Sequence, residues 1–482
     1  MKIIADRTAG VLYTSCRWTF TQEMGIIPVK QVPLLRKSFA VLAGLSLLLT
    51  GSAAAFAQPD NHPGKILAGF FEEWSIYYAN YNLANLESNG SAAKLSHLIY
   101  AFGDVSASVS EPSTDTCVIA DAFADFEDNN LPPVGGIADT WPLYGNFAEI
   151  LKLKQLHPQL KTLISLGGAG AAEAQAFSTA ASTDQGRKAL AASCINMFVV
   201  GNVGSDWNGN ITAPGLFDGL NIDWEFPAAT DKTNFTLLLQ EFRNQLNALS
   251  AQTGKQYVLS FDGPAGAQNY SNIDLKSAAE QVNFITIDGY NYAGSWDTAT
   301  NHASPLFDSR QDPDFGQDLD IADTVTAYLR SGVPAEKYVM GVPLYGAGWT
   351  GVPNKEHGLY QSSTGPSAVP LANGTGVCTD LSGNTAGCDT LLTPGLATYS
   401  TLAALTSNGY KNYVDPFRIA AWLYDPSSET FYSYDTPETA FVKTLFIQTR
   451  VPGGLGGAFV WAVKDDDAKG TMVKTLAQGL GR

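Results

Sequence analysis

Short apolar segments alternate with longer amphipathic segments along most of the chain. From residue 65 onward, runs rich in β-branched and aromatic residues are separated by stretches in which apolar residues recur at helical spacing. This alternation is typical of a parallel sheet covered by helices. The segments with a strand pattern begin at Lys65, His97, Lys161, Phe217, Tyr257, Val282, Tyr338 and Gly456. Because a closed barrel needs eight parallel strands, the sequence predicts an α/β protein with a (β/α)8 fold, the TIM barrel. Amphipathic segments after Gly145 and Thr233 are predicted helices.

The connection between the seventh and eighth predicted strands is too long for a simple loop and helix. It runs to about 110 residues, so we expect it to contain structure of its own. Within it, the segment WLYDPSSETFYSY from Trp422 reads as two aromatic strands joined by a turn. We therefore predict an α+β insertion over 346–435 that forms one wall of a cleft.

The first part of the chain has the order of a secretory signal. Basic residues come first, an apolar run follows and small residues end the segment: Lys30, Arg36, Lys37, then 39–49, then Ala55-Phe56-Ala57. The apolar run is too short to span a bilayer as a stable helix. We expect 1–57 to be an N-terminal extension and signal peptide, with Met24 as an alternative start. The remaining domain, 58–482, is then secreted to the extracellular space or the periplasm, without a membrane anchor.

Charge and cysteine content narrow the possible partners. The formal net charge of −17 argues against binding to nucleic acid or an anionic membrane and leaves a neutral or cationic polymer as a ligand.

Export favours a disulfide between Cys378 and Cys388, which would close a short loop. Spacing gives no basis for pairing Cys117 with Cys194. Since the chain lacks a C-x-x-C motif and its five histidines are scattered, we expect no metal site.

The fourth predicted strand carries an unusual polar face. Side chains alternate along a strand, so Asn221, Asp223 and Glu225 share one side while Leu220 and Trp224 lie on the other. In a barrel the polar set would point inward, near the mouth where active sites of this fold lie. Mutual repulsion between buried carboxyls raises one pKa toward the range of a general acid, and Glu225 is nearest the mouth. The alternative is a polar cluster that only fills the barrel.

The same strand carries a resemblance to a known family. The segment DGLNIDWEFP, 218–227, resembles the D-G-x-D-x-D-W-E motif of glycoside hydrolase family 18, the chitinases. Further segments fall in the family's order: KLSHLIYAF at 94–102, SLGG at 165–168, YNYAGSWD at 290–297, GVPLYG at 341–346 and GGAFVW at 456–461. The resemblance extends from about residue 65 to about residue 478.

The resemblance implies a substrate-assisted retaining mechanism on chitin or other N-acetylglucosamine polymers. Glu225 would protonate the glycosidic oxygen, Asp223 would orient the acetamide N–H, and the Tyr290 hydroxyl would hold the acetamide oxygen. The motif also places Asn221 and Asp218 in the catalytic group. Substrate binding is expected from Trp461, Trp296, Asn291, Tyr345, Trp74, Phe102, Gly167 and Gly168. No cofactor is implied, and we expect a monomer.

Two departures from the family pattern affect the expected chemistry. Asn221 replaces the family's middle aspartate, and Asn291 replaces the aspartate that follows the sixth-strand tyrosine. Each removes a negative charge from the pocket, so Asp223 loses a partner able to hold its proton. Two other functions stay open: an endo-β-N-acetylglucosaminidase acting on glycans, and a chitin-binding, lectin-like protein with weak or no turnover.

Overall fold

The computed structural model describes residues 64–77, 79–206, 209–370 and 393–482. The predicted signal segment and the predicted Cys378–Cys388 disulfide lie outside the described residues. Within those ranges, helices that combine the length and the apolarity needed to cross a bilayer are absent.

Eight parallel strands form a closed barrel, as the sequence predicts. The strands are β1 Ile66–Glu72, β2 His97–Ser106, β3 Lys161–Gly168, β4 Gly219–Trp224, β5 Val258–Gly263, β6 Phe284–Ile287, β7 Tyr338–Pro343 and β8 Gly457–Trp461. Each pairs with the next in chain order. The pairing of β1 with β8 closes the sheet.

Helices cover the outside of the barrel. The longer ones are Gly145–Leu156, Ala171–Ala181, Asp184–Cys194, Lys232–Thr253, Leu275–Gln281, Ile321–Arg330, Pro437–Thr449 and Thr471–Leu480. Leu83–Ser88 and Ala267–Tyr270 are shorter. Side-chain caps fix some starts: Asp320 accepts a hydrogen bond from the backbone N–H of Asp323, and Thr436 does so from Thr439. The two amphipathic segments noted in the sequence are both helical.

The apolar side chains form two layers separated by the sheet. Inside the barrel, a small cluster includes Phe70, Leu163, Phe284 and Phe459. Outside it, a much larger cluster joins the sheet to the helices. Trp224 belongs to this outer layer, where its ring packs against Phe177 at 5.5 Å and Phe235 at 5.8 Å between centroids. The alternation predicted for β4 is therefore confirmed, with the apolar side chains outward.

The insertion between β7 and β8 is built around an antiparallel sheet. Its strands are Tyr345–Thr350, Gly365–Pro366, Leu396–Thr398, Lys411–Asp415, Ala420–Asp425 and Thr430–Tyr434, and its helix is Tyr399–Leu405. The predicted aromatic hairpin is formed by Ala420–Asp425 and Thr430–Tyr434. Only Leu344 separates the first insertion strand from β7, so the insertion begins at the carboxyl end of the barrel.

The loops contain further short strands and a disulfide. The strand Thr116–Ile119 pairs antiparallel with the end of β2, and Gly204–Asp206 pairs with Gly209–Ile211. A disulfide between Cys117 and Cys194 ties the first of these strands to the end of a barrel helix. The sequence did not suggest this pair, because the two cysteines are 77 residues apart and only the fold brings them together.

Candidate active site

A cavity opens at the carboxyl end of the barrel strands. Its volume is about 180 Å³, and its lining contains the carboxylates Asp223, Glu225, Asp262 and Asp288. The other lining residues are Phe70, Ala169, Tyr290, Asn291, Tyr345 and Trp461. The cavity lies where the fold places catalytic groups, because the strand ends and their loops converge there.

Strand β4 brings Asp223 and Glu225 into this cavity. Asp223 is 3% exposed, and its Oδ1 atom has no hydrogen-bond partner among the described residues. Glu225 follows the last residue of the strand and is partly exposed. The inward direction predicted for both carboxyls is therefore correct.

Asn221 occupies a different environment from the one we expected. Its Nδ2 donates to Ser165 Oγ at 3.0 Å, and its Oδ1 accepts from Ser260 Oγ at 2.8 Å. These serines lie on β3 and β5, the strands that flank β4, so the amide links three strands. Asn221 is fully buried and does not line the cavity. It supports β4 below Asp223 rather than contacting substrate.

Two acidic residues of the cavity were missed in the sequence. Asp262 lies on β5, and Asp288 directly follows β6. The register pairs Ile222 with Phe261, which puts the next residues, Asp223 and Asp262, side by side on adjacent strands. A signal was present, because both aspartates end predicted strands of a parallel sheet, where active-site residues of barrels gather.

The cavity lining contains no lysine or arginine that could offset the charges of the four carboxyls, and their pKa values are raised. Burial raises the pKa of Glu225 to about 6. Burial, together with the charge of Glu225, raises the pKa of Asp288 to about 8, although a hydrogen bond from Tyr290 opposes the shift. Burial also raises the pKa values of Asp223 and Asp262 well above their usual range, and the neighbouring carboxyls add to the effect. Several protons are therefore held in the cavity near neutral pH.

Aromatic and amide side chains complete the cavity wall. The Tyr345 hydroxyl donates to Asn291 Oδ1 at 2.8 Å, and the ring of Tyr345 meets that of Tyr290 edge-on at 5.9 Å. Asn291 has a positive φ of 58°, a conformation that asparagine tolerates better than most residues. Trp461 ends β8, and its ring packs on Phe70 at 5.2 Å. The predicted binding residues Tyr345, Asn291 and Trp461 thus lie together.

A second depression, which we call the arm, continues from the cavity past Glu225. Trp461, Ala169 and Glu225 line both spaces. The remaining lining of the arm is Glu73, Trp74, Phe102, Asp104, Ala120, Gly167, Gly168, Gly170 and Glu173. Four predicted binding residues are therefore found in the arm: Trp74, Phe102, Gly167 and Gly168.

Two glycines keep the junction of cavity and arm open. Gly167 has a φ of +110°, and a Cβ atom there would lie 2.3 Å from the carbonyl oxygen of Asp223. A Cβ atom on Gly168 would meet the ring of Phe102 at 2.9 Å. Side chains at either position would displace a residue that lines the site.

Besides Asn221, two predicted site residues line neither the cavity nor the arm. Asp218 precedes β4 at the amino end of the barrel, where its carboxylate accepts from Lys154 Nζ at 2.7 Å and from the backbone N–H of Thr162 at 2.9 Å. Its predicted catalytic role is wrong, because this ion pair lies at the opposite end of the strand from Glu225. Trp296 is 64% exposed and lines neither the cavity nor the arm.

The chemistry of the cavity rests on proton-binding groups. Among the described residues, groups of three or more His, Cys, Asp or Glu side chains with an arrangement suited to a metal ion are absent.

Comparison with known proteins agrees with this geometry. The family model described as "Glycosyl hydrolases family 18" matches residues 66–466. Chitinase A1 of Niallia circulans is 31% identical over an alignment that covers 92% of this chain and 63% of that protein, so the chain spans less than two thirds of this relative. Chitinase 1 of Aphanocladium album is 28% identical, with 93% of each chain covered.

A solved structure extends the comparison to three dimensions. The catalytic domain of the psychrophilic chitinase B from Arthrobacter TAD20 superposes with a TM-score of 0.74 at 29% identity, covering 86% of this chain and 95% of that one. The family match spans every barrel strand, from the first residue of β1 past the end of β8. The chain therefore belongs to glycoside hydrolase family 18.

Proposed function

We propose that this protein is a secreted chitinase that hydrolyses β-1,4 bonds between N-acetylglucosamine units with retention of configuration. The observation that carries the proposal is the position of Glu225, which lines both the cavity and the arm. A polysaccharide that occupies both spaces places the bond between two sugars beside this carboxyl. Trp461 lines the same junction and offers an apolar face to a sugar ring.

Glu225 is the general acid of this proposal. A pKa of about 6 keeps a substantial fraction of the carboxyl protonated in mildly acidic solution, so it can donate to the leaving glycosidic oxygen. The acetamide carbonyl oxygen of the substrate attacks its own anomeric carbon as the glycosidic bond breaks. Water, deprotonated by Glu225, then opens the cyclic oxazolinium ion.

Asp223 holds the acetamide group in the attacking position. Its unpartnered Oδ1 is free to accept the acetamide N–H. The positive charge that develops on the ring lowers the pKa of this carboxyl, whose ionised form then stabilises that charge. Burial raises the pKa of Asp223, and the charges of Glu225 and, more weakly, of Asp288 add to the effect, so Asp288 is one of two neighbours that influence the proton of Asp223. This role falls to Asp288 because Asn221 has no titratable proton and bonds to two serines.

Secretion is part of the same proposal. The signal-like segment before residue 58 supports it, and so does the disulfide between Cys117 and Cys194, since such bonds persist in oxidising compartments. The expected partner is chitin or its oligosaccharides, and the expected state is a monomer.

Product analysis tests the mechanism directly. We expect the newly formed reducing ends to be β-anomers at early times in an NMR assay with chitin hexamers. We also expect inhibition by a thiazoline mimic of the oxazolinium ion, and no cleavage of fully deacetylated oligomers. Initial α-anomers, or equal rates on acetylated and fully deacetylated oligomers, would overturn the substrate-assisted mechanism. Release of intact glycans from a glycoprotein, without cleavage of chitin oligomers, would favour the endo-β-N-acetylglucosaminidase alternative.

A further inference from the structure

A buried hydrogen-bond network connects the insertion with the end of β6. Lys443 Nζ lies 2.6 Å from Asp435 Oδ2, 2.7 Å from the carbonyl oxygen of Ser304 and 2.7 Å from Ser304 Oγ. The Ser304 hydroxyl donates to the carbonyl oxygen of Gly289 at 2.5 Å. Lys443, Asp435 and Ser304 are all buried. The network therefore runs from the last residue of the insertion to a backbone position beside the cavity.

The ammonium group of Lys443 fixes the direction of these hydrogen bonds. Burial lowers the pKa of Lys443, but the charge of Asp435 and its hydrogen bond oppose that shift. An ammonium group has three N–H donors and no acceptor, and each donor here has one partner. Because Ser304 Oγ accepts from the ammonium, its single hydrogen is directed at the Gly289 carbonyl, which can only accept. The hydroxyl therefore has one orientation.

Gly289 lies between two residues that line the cavity, Asp288 and Tyr290. Its carbonyl belongs to the peptide group that joins it to Tyr290, so the bond from Ser304 fixes the plane of that peptide group. A Cβ atom on Gly289 would lie 2.2 Å from the carbonyl oxygen of Gly341, so the backbone here packs directly against β7. The direction in which the Tyr290 side chain leaves the backbone thus depends on the contacts of the preceding peptide group.

The segment that contains Ser304 is held on two sides. The backbone N–H of Ala303 donates to Ser433 Oγ, in the insertion, at 2.9 Å. The carbonyl oxygen of Ala303 accepts from the backbone N–H of Tyr292 at 3.1 Å. The segment therefore lies between the insertion and the backbone that carries Tyr290.

We propose that Ser304 is a positioning residue for the reaction: its hydroxyl, oriented by Lys443, holds the peptide group before Tyr290 so that the Tyr290 hydroxyl meets the acetamide oxygen of the substrate. The inference rests on the proposed function, because the role of Tyr290 follows from the resemblance to family 18. Ser304 lines neither the cavity nor the arm, so its effect reaches the substrate through Tyr290. It affects the step in which the acetamide attacks more than the binding of the sugar units.

A double-mutant cycle tests this role. In Ser304→Ala, kcat on a chromogenic chitobioside should fall by about tenfold while KM stays within about twofold, because a small displacement of a catalytic group slows the reaction more than it weakens binding. Tyr290→Phe has no hydroxyl to position, so adding Ser304→Ala to it should lower kcat by no more than about twofold further. A thiazoline mimic of the oxazolinium ion should bind Ser304→Ala about tenfold more weakly.

Ser96→Ala is the matched control. The Ser96 side chain is also buried, and its hydroxyl donates to a backbone carbonyl, that of Leu67, at 3.0 Å. Ser96 precedes β2 at the amino end of the barrel, so Ser96→Ala should lower the thermal stability and leave kcat unchanged.

Ser304→Cys is a second variant at the proposed position. The thiol keeps nearly the size of the hydroxyl but is a weak donor, so kcat should lie between the values of the unmodified protein and Ser304→Ala. If Ser304→Ala does not fold, Ser304→Cys takes its place in the cycle.

The outcomes separate this inference from the proposed function. An equal fold-loss of kcat with and without the Tyr290 hydroxyl would show that Ser304 does not act through Tyr290 and would overturn the inference. A kcat within twofold of the unmodified protein in both Ser304 variants, or a comparable loss of kcat in Ser96→Ala, would also overturn it. In these cases the unmodified protein still cleaves the chitobioside, and the chitinase proposal stands. Failure of the unmodified protein to cleave the chitobioside and chitin hexamers would overturn the proposed function itself.

Discussion

Two groups of acidic residues in the described part of the chain have opposite surroundings, one without a cation and the other around a buried arginine. The cavity at the barrel mouth brings together Asp223, Glu225, Asp262 and Asp288 without a lysine or arginine in its lining. The second group, made of Asp308, Asp312 and Asp415, surrounds Arg418 where the insertion meets the loop after β6. Arg418 is fully buried, and its Nη1 lies 2.8 Å from Asp312.

The pKa of Asp415 shifts in the opposite direction from the pKa values of the cavity carboxyls. Burial raises the pKa values of all four cavity carboxyls. At Asp415, burial acts in the same direction, but the His302 ring, with Nε2 at 3.7 Å, and hydrogen bonds from the backbone N–H groups of Phe417 and Arg418 outweigh it and lower the pKa. The carboxylates of the Arg418 group thus have a buried cation among them, as expected of a structural ion pair network.

The contrast shows which acidic cluster to regard as functional. A folded chain keeps uncompensated buried carboxyls only at a cost in stability, and such groups are concentrated at active sites. The Arg418 group contributes to packing between the insertion and the barrel loops. The cavity group holds protons and is poised to exchange them. Substitutions in the two groups should therefore have different effects on activity and on stability.

The largest expected effect is the loss of activity in Glu225→Gln. The amide keeps the size of the side chain but has no proton to transfer, so kcat should fall by at least about a thousandfold. A chromogenic chitobioside assay measures the rate, and calorimetry with chitin oligomers should show binding close to that of the unmodified protein. Residual activity within tenfold, with Glu111→Gln as the fully active control, would show that Glu225 is not the general acid.

The next largest effect is a loss of stability on substitution in the Arg418 group. Arg418→Met leaves three carboxylates without their cation, so the free energy of unfolding at pH 7 should fall by about 3–5 kcal/mol. Thermal unfolding monitored by circular dichroism measures the loss. Arg450→Met, at an exposed arginine, is the control and should change little. Equal stability of the two variants would show that the Arg418 network is not structural.

Unlike Arg418→Met, Asp288→Asn should alter activity without a loss of stability in alkaline solution. The folded-state pKa of Asp288, about 8, lies above its value in the unfolded chain, so its contribution is fully present below the unfolded pKa and is lost as the pH rises to about 8. Asparagine does not titrate. The variant should therefore lose stability less steeply between about pH 4 and pH 8, by up to about 1.4 kcal/mol per pH unit.

Urea unfolding at several pH values measures this slope, and kcat/KM on the chitobioside reports the change in activity. Asp274→Asn, at an exposed helix cap, is a suitable control for a substitution of the same kind. A slope identical to that of the unmodified protein would mean that Asp288 is ionised in the folded state across this range.

The sequence predicted the barrel more completely than the site, for physical reasons. Strand and helix periodicity is a local property, so all eight strands and the aromatic hairpin were recognised. Asp223, Glu225 and Trp461 were found because one strand's alternation or a short motif carries them. Asp262 and Asp288 were missed because their proximity depends on the register between strands β4, β5 and β6, which local periodicity does not contain. The same reason explains the unpredicted pairing of Cys117 with Cys194.

Asp218, in contrast, was assigned to the site from the sequence but lies outside it in the structure. It belongs to the same motif as Glu225, and proximity in sequence suggested a shared role. The strand between them carries the two residues to opposite ends of the barrel, where Asp218 pairs with Lys154. A motif thus contained both a catalytic candidate and a residue that fixes the strand's amino end.

The smallest expected effect concerns Asn221→Asp, where the chain departs from its family. The buried amide bridges Ser165 and Ser260, and both serine hydroxyls can rotate to donate to a carboxylate at this position, so the fold should be kept. The added carboxyl lies two residues before Asp223 on the inward face and increases the negative charge that Glu225 experiences. The apparent pKa of Glu225 should rise from about 6, which moves the alkaline limb of the pH–rate profile upward by less than about one pH unit. Asn221→Ser, which removes the amide without adding charge, should leave that limb in place. A shift of equal size in both variants would mean that Asn221 acts through the position of β4 and not through charge.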